Sequence, residues 1–362
     1  MTLAIICIVM IFLYALLITN FIRGWMNIPL FETKENDIDF PVTVITVCKN
    51  ESVLLPQLFE SINKQNYPNF QLMLVDDHST DGSLEYALEA QNHYSWLKVI
   101  KNEGYGKKEG IKSAIHQTDA RLVVTLDADC LPQPDWLKTI VAFYEETFTD
   151  LIICPVKLQS NDRFLEQFQA YEFTSLVASG AGAVGIDAPI LCNGANLAFR
   201  RLSWLKSSNE LHFDERSGDD IYLLQSIKKH KGVIRFLKSK AAMVETPAKK
   251  TWHEFFHQRR RWAGKKAAYK DVHLILTACI VFLTSAMMLF SFIYSTIHHE
   301  FLMLACYLFL MKWMVDYTFF RTVKDFFDLK KTGLRSFLFS FIYPFYIVIT
   351  AFGSLFKKKN SW

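Results

Sequence analysis

The stretch RLVVTLDADCLP at 121–132 ends an apolar run on two carboxylates, Asp127 and Asp129. Charges at the edge of a core cost desolvation unless something compensates them. Two other places repeat the pattern: Asp76 and Asp77 in VDDHSTDGS (75–83), and Asp219 and Asp220 in RSGDDIYLLQSI (216–227). A group of carboxylates at one ligand-binding edge would repel itself unless a cation sat among them, and a divalent cation holding a diphosphate is the economical candidate. A fourth stretch, HEFFHQRRRWAGKK (253–266), is basic and aromatic. Its Arg can pair with phosphate, its Gln can hydrogen-bond and its Trp can floor a sugar site.

Each stretch also has a plainer reading. Asp81 can cap an ordinary strand-to-helix turn, acidic residues favour a helix N-terminus, and 253–266 can be an interfacial helix facing anionic headgroups. What separates the readings is the set of elements that must position these residues. VTVITVCK (42–49), QLMLVDD (71–77), KVIKN (98–102) and LVVTLDAD (122–129) read as strands. Between them, 53–66, 83–93 and 108–117 read as helices, with Ser52 and Asp81 as caps. The alternation predicts a mostly parallel sheet with helices on both faces, whose ligands bind beyond the carboxyl ends of the strands. Asp76, Asp77, Asp127 and Asp129 then share one rim, and strand periodicity turns Asp127 and Asp129 to one side. Pro132 and Pro134 stop the strand, and a helix begins near Asp135. In the second half, 193–201 and 233–247 read as strands, 162–179 and 219–230 as helices, and SGAGAVG (179–185) as a mobile loop.

The chain has 362 residues, about half of them apolar, and a net charge of +4, too slight for a nucleic-acid binder. The apolar residues are concentrated. Residues 2–22 carry no charge and are long enough to span a bilayer; without basic residues at the start or a small-residue cleavage site, they read as an anchor rather than a cleaved signal. Three more apolar stretches follow, at 272–297, 301–320 and 336–356. The second holds Lys312 and Asp316, four apart, and must turn that face toward protein. The third contains Pro344 and reads as kinked or re-entrant. The basic loop 321–335, with Arg321, Lys324, Lys330, Lys331 and Arg335, marks the cytoplasmic side. Two spans back, the soluble part falls on that side too, although the KKK of 357–359 then lies opposite if 336–356 crosses. The seven cysteines are scattered, without a CxxC pair, and read as reduced thiols.

Taken in order, VDDHSTDGS, the Lys of GYGKKEG, DAD, an acidic pair before a helix, and QRRRW resemble the family-2 glycosyltransferases of the GT-A fold. Their membrane-embedded members include cellulose, chitin, hyaluronan and poly-N-acetylglucosamine synthases and ceramide glucosyltransferase. QRRRW is the most specific landmark, because it fits the family's Gln-x-x-Arg-Trp. The resemblance covers about 40–270. It implies an α/β GT-A, Rossmann-like cytoplasmic domain (40–250) between an N-terminal membrane anchor (1–24) and an interfacial helix (251–270), followed by a C-terminal membrane region of about three segments (271–356) and a basic tail (357–362).

It also implies roles. Asp77, with Asp76 beside it, contacts the donor's base or ribose, and Lys107 and Asp127 touch the nucleotide. Asp127 and foremost Asp129 bind Mg²⁺ or Mn²⁺ on the diphosphate. Gln258, Arg261 and Trp262 close over diphosphate and acceptor, and Asn193 and Asn196 lie near the acceptor. Relatives often have Glu before the catalytic Asp where this chain has GDD, so the base is Asp220 or Asp219. The implied function is inverting transfer of a sugar from a nucleotide sugar, UDP being the commonest carrier, to a lipid or glycan acceptor at the cytoplasmic membrane face (the inner membrane in a bacterium).

A processive polysaccharide synthase of the same family is the alternative. It would need a channel, for which four spans give little material without a homo-oligomer or helper subunit. From other classes, a haloacid-dehalogenase-like phosphohydrolase would place Asp-x-Asp at a strand end, but it expects a Thr soon after that motif, which is missing here. An inactive scaffold subunit would not need every acid.

Overall fold

The computed structural model describes residues 2–34, 39–213, 215, 218–264, 270–329 and 333–355. In chain order the elements begin with α1 (Thr2–Asn27), β1 (Val42–Cys48), α2 (Leu55–Asn63), β2 (Phe70–Asp76), α3 (Ser83–Gln91), β3 (Leu97–Lys101), α4 (Lys107–His116) and β4 (Leu122–Leu126). Then come β5 (Leu131–Pro132), α5 (Trp136–Thr147), β6 (Leu151–Ile153), β7 (Val156–Gln159), α6 (Phe164–Gly185), β8 (Asn196–Arg200), α7 (Arg201–Ser207), α8 (Asp219–Lys229), β9 (Ile234–Phe236) and β10 (Val244–Pro247). The chain continues through α9 (Trp252–Ala263), α10 (Val272–Ser295), α11 (Leu302–Val323) and α12 (Gly333–Leu355). Two compact units result. One comprises Ile28–Gln159 and Leu191–Ala248; the other comprises Met1–Asn27, Ser160–Ile190 and Lys249–Trp362.

The first unit is built on a seven-stranded sheet of order β3-β2-β1-β4-β8-β6-β9. Strands β3, β2, β1 and β4 run parallel, as the strand–helix alternation requires. Strand β8 is antiparallel to both β4 and β6. Every residue of β4 is buried, the burial expected of a central strand covered on both faces. The order changes direction after β1, with β2 on one side and β4 on the other, which makes the crevice at their carboxyl ends the topological switch point. The stretch 233–247 is not one strand: β9 joins the large sheet, while β10 pairs with β7 and β5 in a second sheet of three strands. Ser52 caps nothing. Its N–H donates to Asp81 Oδ2 at 3.1 Å, while Asp81 Oδ1 accepts from the Ser83 N–H at 3.0 Å just ahead of α3.

The second unit is helical. The expected loop at 179–185 is the last part of α6, and α6 leaves the sheet unit altogether, so the domain expected to run unbroken from 40 to 250 is interrupted at 160–190. The glycines serve a close approach rather than a turn. A Cβ on Gly24 of α1 would strike the Gly182 carbonyl, and one on Gly185 would strike the Gly24 carbonyl, the role small residues play wherever two helix backbones touch.

Four helical segments are long and apolar enough to cross a membrane: Ala4–Asn27, Val272–Ser295, His299–Val323 and Arg335–Gly353. Helix α12 runs continuously through Pro344. As the spacing required, Lys312 and Asp316 point inward. Asp316 takes the Lys312 ammonium and accepts from Tyr14 Oη at 2.6 Å and Ser340 Oγ at 2.7 Å, so α1, α11 and α12 share one carboxylate. The tail 357–362 and Lys330 and Lys331 lie outside the described residues.

Candidate functional site

Strand β4 ends at Leu126, so Asp127 and Asp129 stand on a turn, not in the strand. The Cys130 N–H closes that turn on the Asp127 carbonyl at 3.0 Å. Strand alternation therefore does not orient the two carboxylates; the turn does. The antiparallel register sets Asn196 opposite Leu126, which delivers 193–195 to the same rim, and the Asp127 N–H donates to the Ala195 carbonyl at 3.3 Å.

Lys107 opens α4 behind Gly106, whose φ of +88° favours a residue without Cβ. Its Nζ lies 2.5 Å from Asp127 Oδ1, 3.1 Å from the Gly194 carbonyl and 3.5 Å from Asp219 Oδ2. Burial alone would lower its pKa, but the carboxylates of Asp127, Asp219 and Asp220 outweigh that and hold it above the ordinary lysine value, so it is a cation throughout the neutral range. Asp219 and Asp220 open α8 behind Gly218, and Asp220 Oδ2 accepts from the Gly194 N–H at 3.4 Å. Thr125 Oγ1 also donates to the Gly194 carbonyl, at 3.1 Å. Two separate segments thus bring Asp127, Asp219 and Asp220 together around the ammonium of a third and a glycine peptide of a fourth.

Asp127 keeps 38 % of its side chain exposed despite that ion pair, and Asp129 is half-buried. Two carboxylates of this kind suit Mg²⁺ or Mn²⁺, which take one or two protein carboxylates and complete their shell from phosphate and water. Among the described residues no cluster of three or more His, Cys, Asp or Glu forms a self-sufficient cage, so the donor set fits a cation that arrives with its diphosphate.

The other sequence candidates separate. Asp77 Oδ1 accepts from Asn102 Nδ2 at 2.7 Å and from the Gly106 N–H at 2.8 Å, and so shapes the turn ahead of Lys107. Asp76 Oδ2 accepts from the Ser79 N–H at 3.3 Å, while its Oδ1 is buried without a hydrogen-bond partner among the described residues, a costly arrangement that a ligand donor would relieve. Asn193 folds its own loop, its Oδ1 accepting from the Ala195 N–H at 3.0 Å.

Asn196 is not an acceptor-site residue. It is fully buried, donates to the Pro155 and Ala242 carbonyls at 2.8 and 2.9 Å, and accepts from Trp136 Nε1 at 3.0 Å. Both its donors are used in fastening β8 to its neighbours. Tyr105, which no motif singled out, is 77 % exposed and stacks on His78 at 4.4 Å beside Gly104 and Gly106.

Gln258, Arg261 and Trp262 lie on α9 in the helical unit. Of the stretch 251–270, Trp252–Ala263 is helical, with a capping box between Thr251 and Glu254, and 265–269 lie outside the described residues. The Trp262 ring is faced by the Arg259 guanidinium at 4.2 Å and packs near Phe173 at 6.1 Å. The motif fit passed over Arg259 and its partner Glu172. The signal for them was an acid, Glu172, among the apolar residues of a helix pattern and an arginine directly after the motif's Gln.

Residues 43–203 match the family model described as Glycosyl transferase family 2. An undecaprenyl-phosphate 4-deoxy-4-formamido-L-arabinose transferase of Proteus mirabilis is 37 % identical over 30 % of this chain and 34 % of its own length. A beta-monoglucosyldiacylglycerol synthase of Nostoc is 24 % identical over 64 % of this chain and 50 % of its own length. The chain spans roughly a third of the length of the first curated relatives it matches. The mannosyltransferase PcManGT from Pyrobaculum calidifontis, solved with GDP-Man and Mn²⁺, superposes with a TM-score of 0.65 at 17 % identity over 99 % of both chains. That likeness establishes a common fold.

Proposed function

Starting from a chain that carries a glycosyl transferase family 2 domain at 43–203, we propose that it moves a sugar from a nucleotide sugar to a lipid-linked acceptor at a membrane surface, with inversion at the anomeric carbon. The observation that carries this reading is the meeting of Asp127, Asp219 and Asp220 around Lys107 and Gly194 at the switch point of the sheet. Asp127 and Asp129 would hold Mg²⁺ or Mn²⁺, and the bound cation would neutralise charge on the leaving diphosphate. Lys107 adds a fixed positive charge beside the same turn. Asp220, or Asp219 beside it, would take the proton of the attacking acceptor oxygen. Asp76, through its buried Oδ1, and the face of Tyr105 would receive the nucleoside, while Asp77 holds the 102–106 turn that carries Tyr105.

Four membrane-length helices and relatives named for undecaprenyl phosphate and for diacylglycerol support a lipid acceptor over a polymer that must be threaded through the bilayer. The basic residues Arg321 in the last turn of α11, Lys324 just after it and Arg335 in the first turn of α12 support a cytoplasmic site.

The test is binding of UDP and of GDP to the detergent-purified protein, with and without Mn²⁺, in wild type and Asp129→Ala. Transfer from UDP- and GDP-sugars to polyprenyl phosphate and to diacylglycerol follows. Metal-dependent binding that the substitution weakens by about tenfold or more, a loss of at least ~1.4 kcal/mol, is the expected result. Folded wild type that binds neither nucleotide, or that releases phosphate regardless of nucleotide, would overturn the reading.

A further inference from the structure

In the helical unit, Arg259 is 3 % exposed and Glu172 of α6 equally so. Arg259 Nε donates to both carboxylate oxygens of Glu172 at 3.0 Å, and a terminal guanidinium nitrogen makes a further close contact with Oε2. Glu172 Oε1 also accepts from Tyr346 Oη of α12 at 2.8 Å. One carboxylate therefore ties α9 to α6 and α12. Around it, Phe168, Tyr171, Phe255, Phe339 and Tyr346 form an aromatic core.

Stability alone does not explain a charge pair in such a place. Two buried ions lose their hydration, and well-packed apolar residues of the same volume would serve as well or better. What an arginine adds is geometry, since its flat fork fixes direction as well as distance. Here the guanidinium reaches both of its motif neighbours. It hydrogen-bonds Gln258 Oε1 and lies over the Trp262 ring at 4.2 Å, while facing Phe255 at 4.7 Å on its other flank.

We propose that Arg259, held by Glu172, is a positioning residue that fixes the rotation of α9 and the side-chain orientations of Gln258 and Trp262, and that sugar transfer depends on that orientation. The inference rests on the transferase reading above, and on the part in transfer that the family resemblance implies for Gln258 and Trp262. It assigns to the first arginine of QRRRW a role that the Gln-x-x-Arg-Trp pattern leaves blank.

The experiment uses the full chain in detergent and measures transfer turnover per nucleotide-binding site, with sites counted by UDP or GDP titration, so that loss of folded protein cancels. Arg259→Gln and Glu172→Gln are each expected to lower turnover per site on the order of 10²-fold, the scale of a misplaced catalytic constellation, with nucleotide affinity unmoved. The double substitution should cost no more than either single one, because the pair acts as a unit. Arg259→Lys should recover only part of the loss, since it restores the charge without the planar face. If Arg259→Gln does not fold, Glu172→Gln, which is close to the native shape, decides. Normal turnover per site in variants that merely melt earlier would overturn the inference and leave the pair as a brace. Absence of nucleotide binding in wild type would remove the transferase reading and this inference with it.

Discussion

The two units handle charge in opposite ways. At the rim of the sheet, Asp127, Asp219 and Asp220 gather around a single ammonium, and Asp127 keeps more than a third of its side chain exposed. In the helical unit, Glu172 meets Arg259 and Asp316 meets Lys312 in pairs that retain almost no exposure, with tyrosine and serine hydroxyls completing each carboxylate. At the rim the carboxylates share Lys107 and stay partly exposed, within reach of a ligand. The helical pairs are balanced and sealed. They fix which helix faces which, in an apolar setting where unpaired charge is intolerable. A carboxylate count would treat both regions alike; the exposure of each local set tells them apart.

Asp220→Asn breaks that contrast most sharply. It removes a proton acceptor while keeping the side chain's shape beside the Gly194 N–H. Turnover should fall about 10²–10⁴-fold with the melting temperature nearly unchanged, as a transfer assay and a thermal melt on the same preparation would reveal. A matching loss of stability would put Asp220 with the structural charges.

Glu172→Ala should lower stability as well as turnover. Stranding Arg259 in its buried place is expected to lose about 3–5 kcal/mol, read from denaturant or thermal unfolding. A change under ~1 kcal/mol would mean the guanidinium reaches water and the pair is not sealed.

The smallest effect comes from within the sheet unit. Asn196→Ala leaves the Pro155 and Ala242 carbonyls and the Trp136 indole N–H without their partner. A destabilisation of about 1–3 kcal/mol with unchanged turnover per nucleotide-binding site is expected. Altered acceptor KM in a stably folded variant would return Asn196 to the acceptor site.

Much of this was written in the linear chain. Alternating apolar runs and helical patterns specified the parallel core β3-β2-β1-β4, because periodicity and burial are local properties of a strand or helix. The same holds for the four apolar segments, since length and hydropathy alone qualify a helix to cross a bilayer. The inward face of Lys312 and Asp316 was also legible, because lipid offers two charges no other choice. The motif acids at 127, 219 and 220 could be named, though the reason they converge could not.

Only the tertiary structure decided the rest. Glycine is ambiguous in sequence: the same residue loosens a loop or lets two helix backbones touch, and 179–185 does the latter because α1 presents Gly24 to it. Asn196 resembled a binding residue until Trp136, Pro155 and Ala242, distant in the chain, were found to use its hydrogen bonds. Glu172 and Arg259 are 87 positions apart, and no local pattern couples them. Local spacing sets which elements form; which charges remain for a ligand depends on the partners that folding brings to each one.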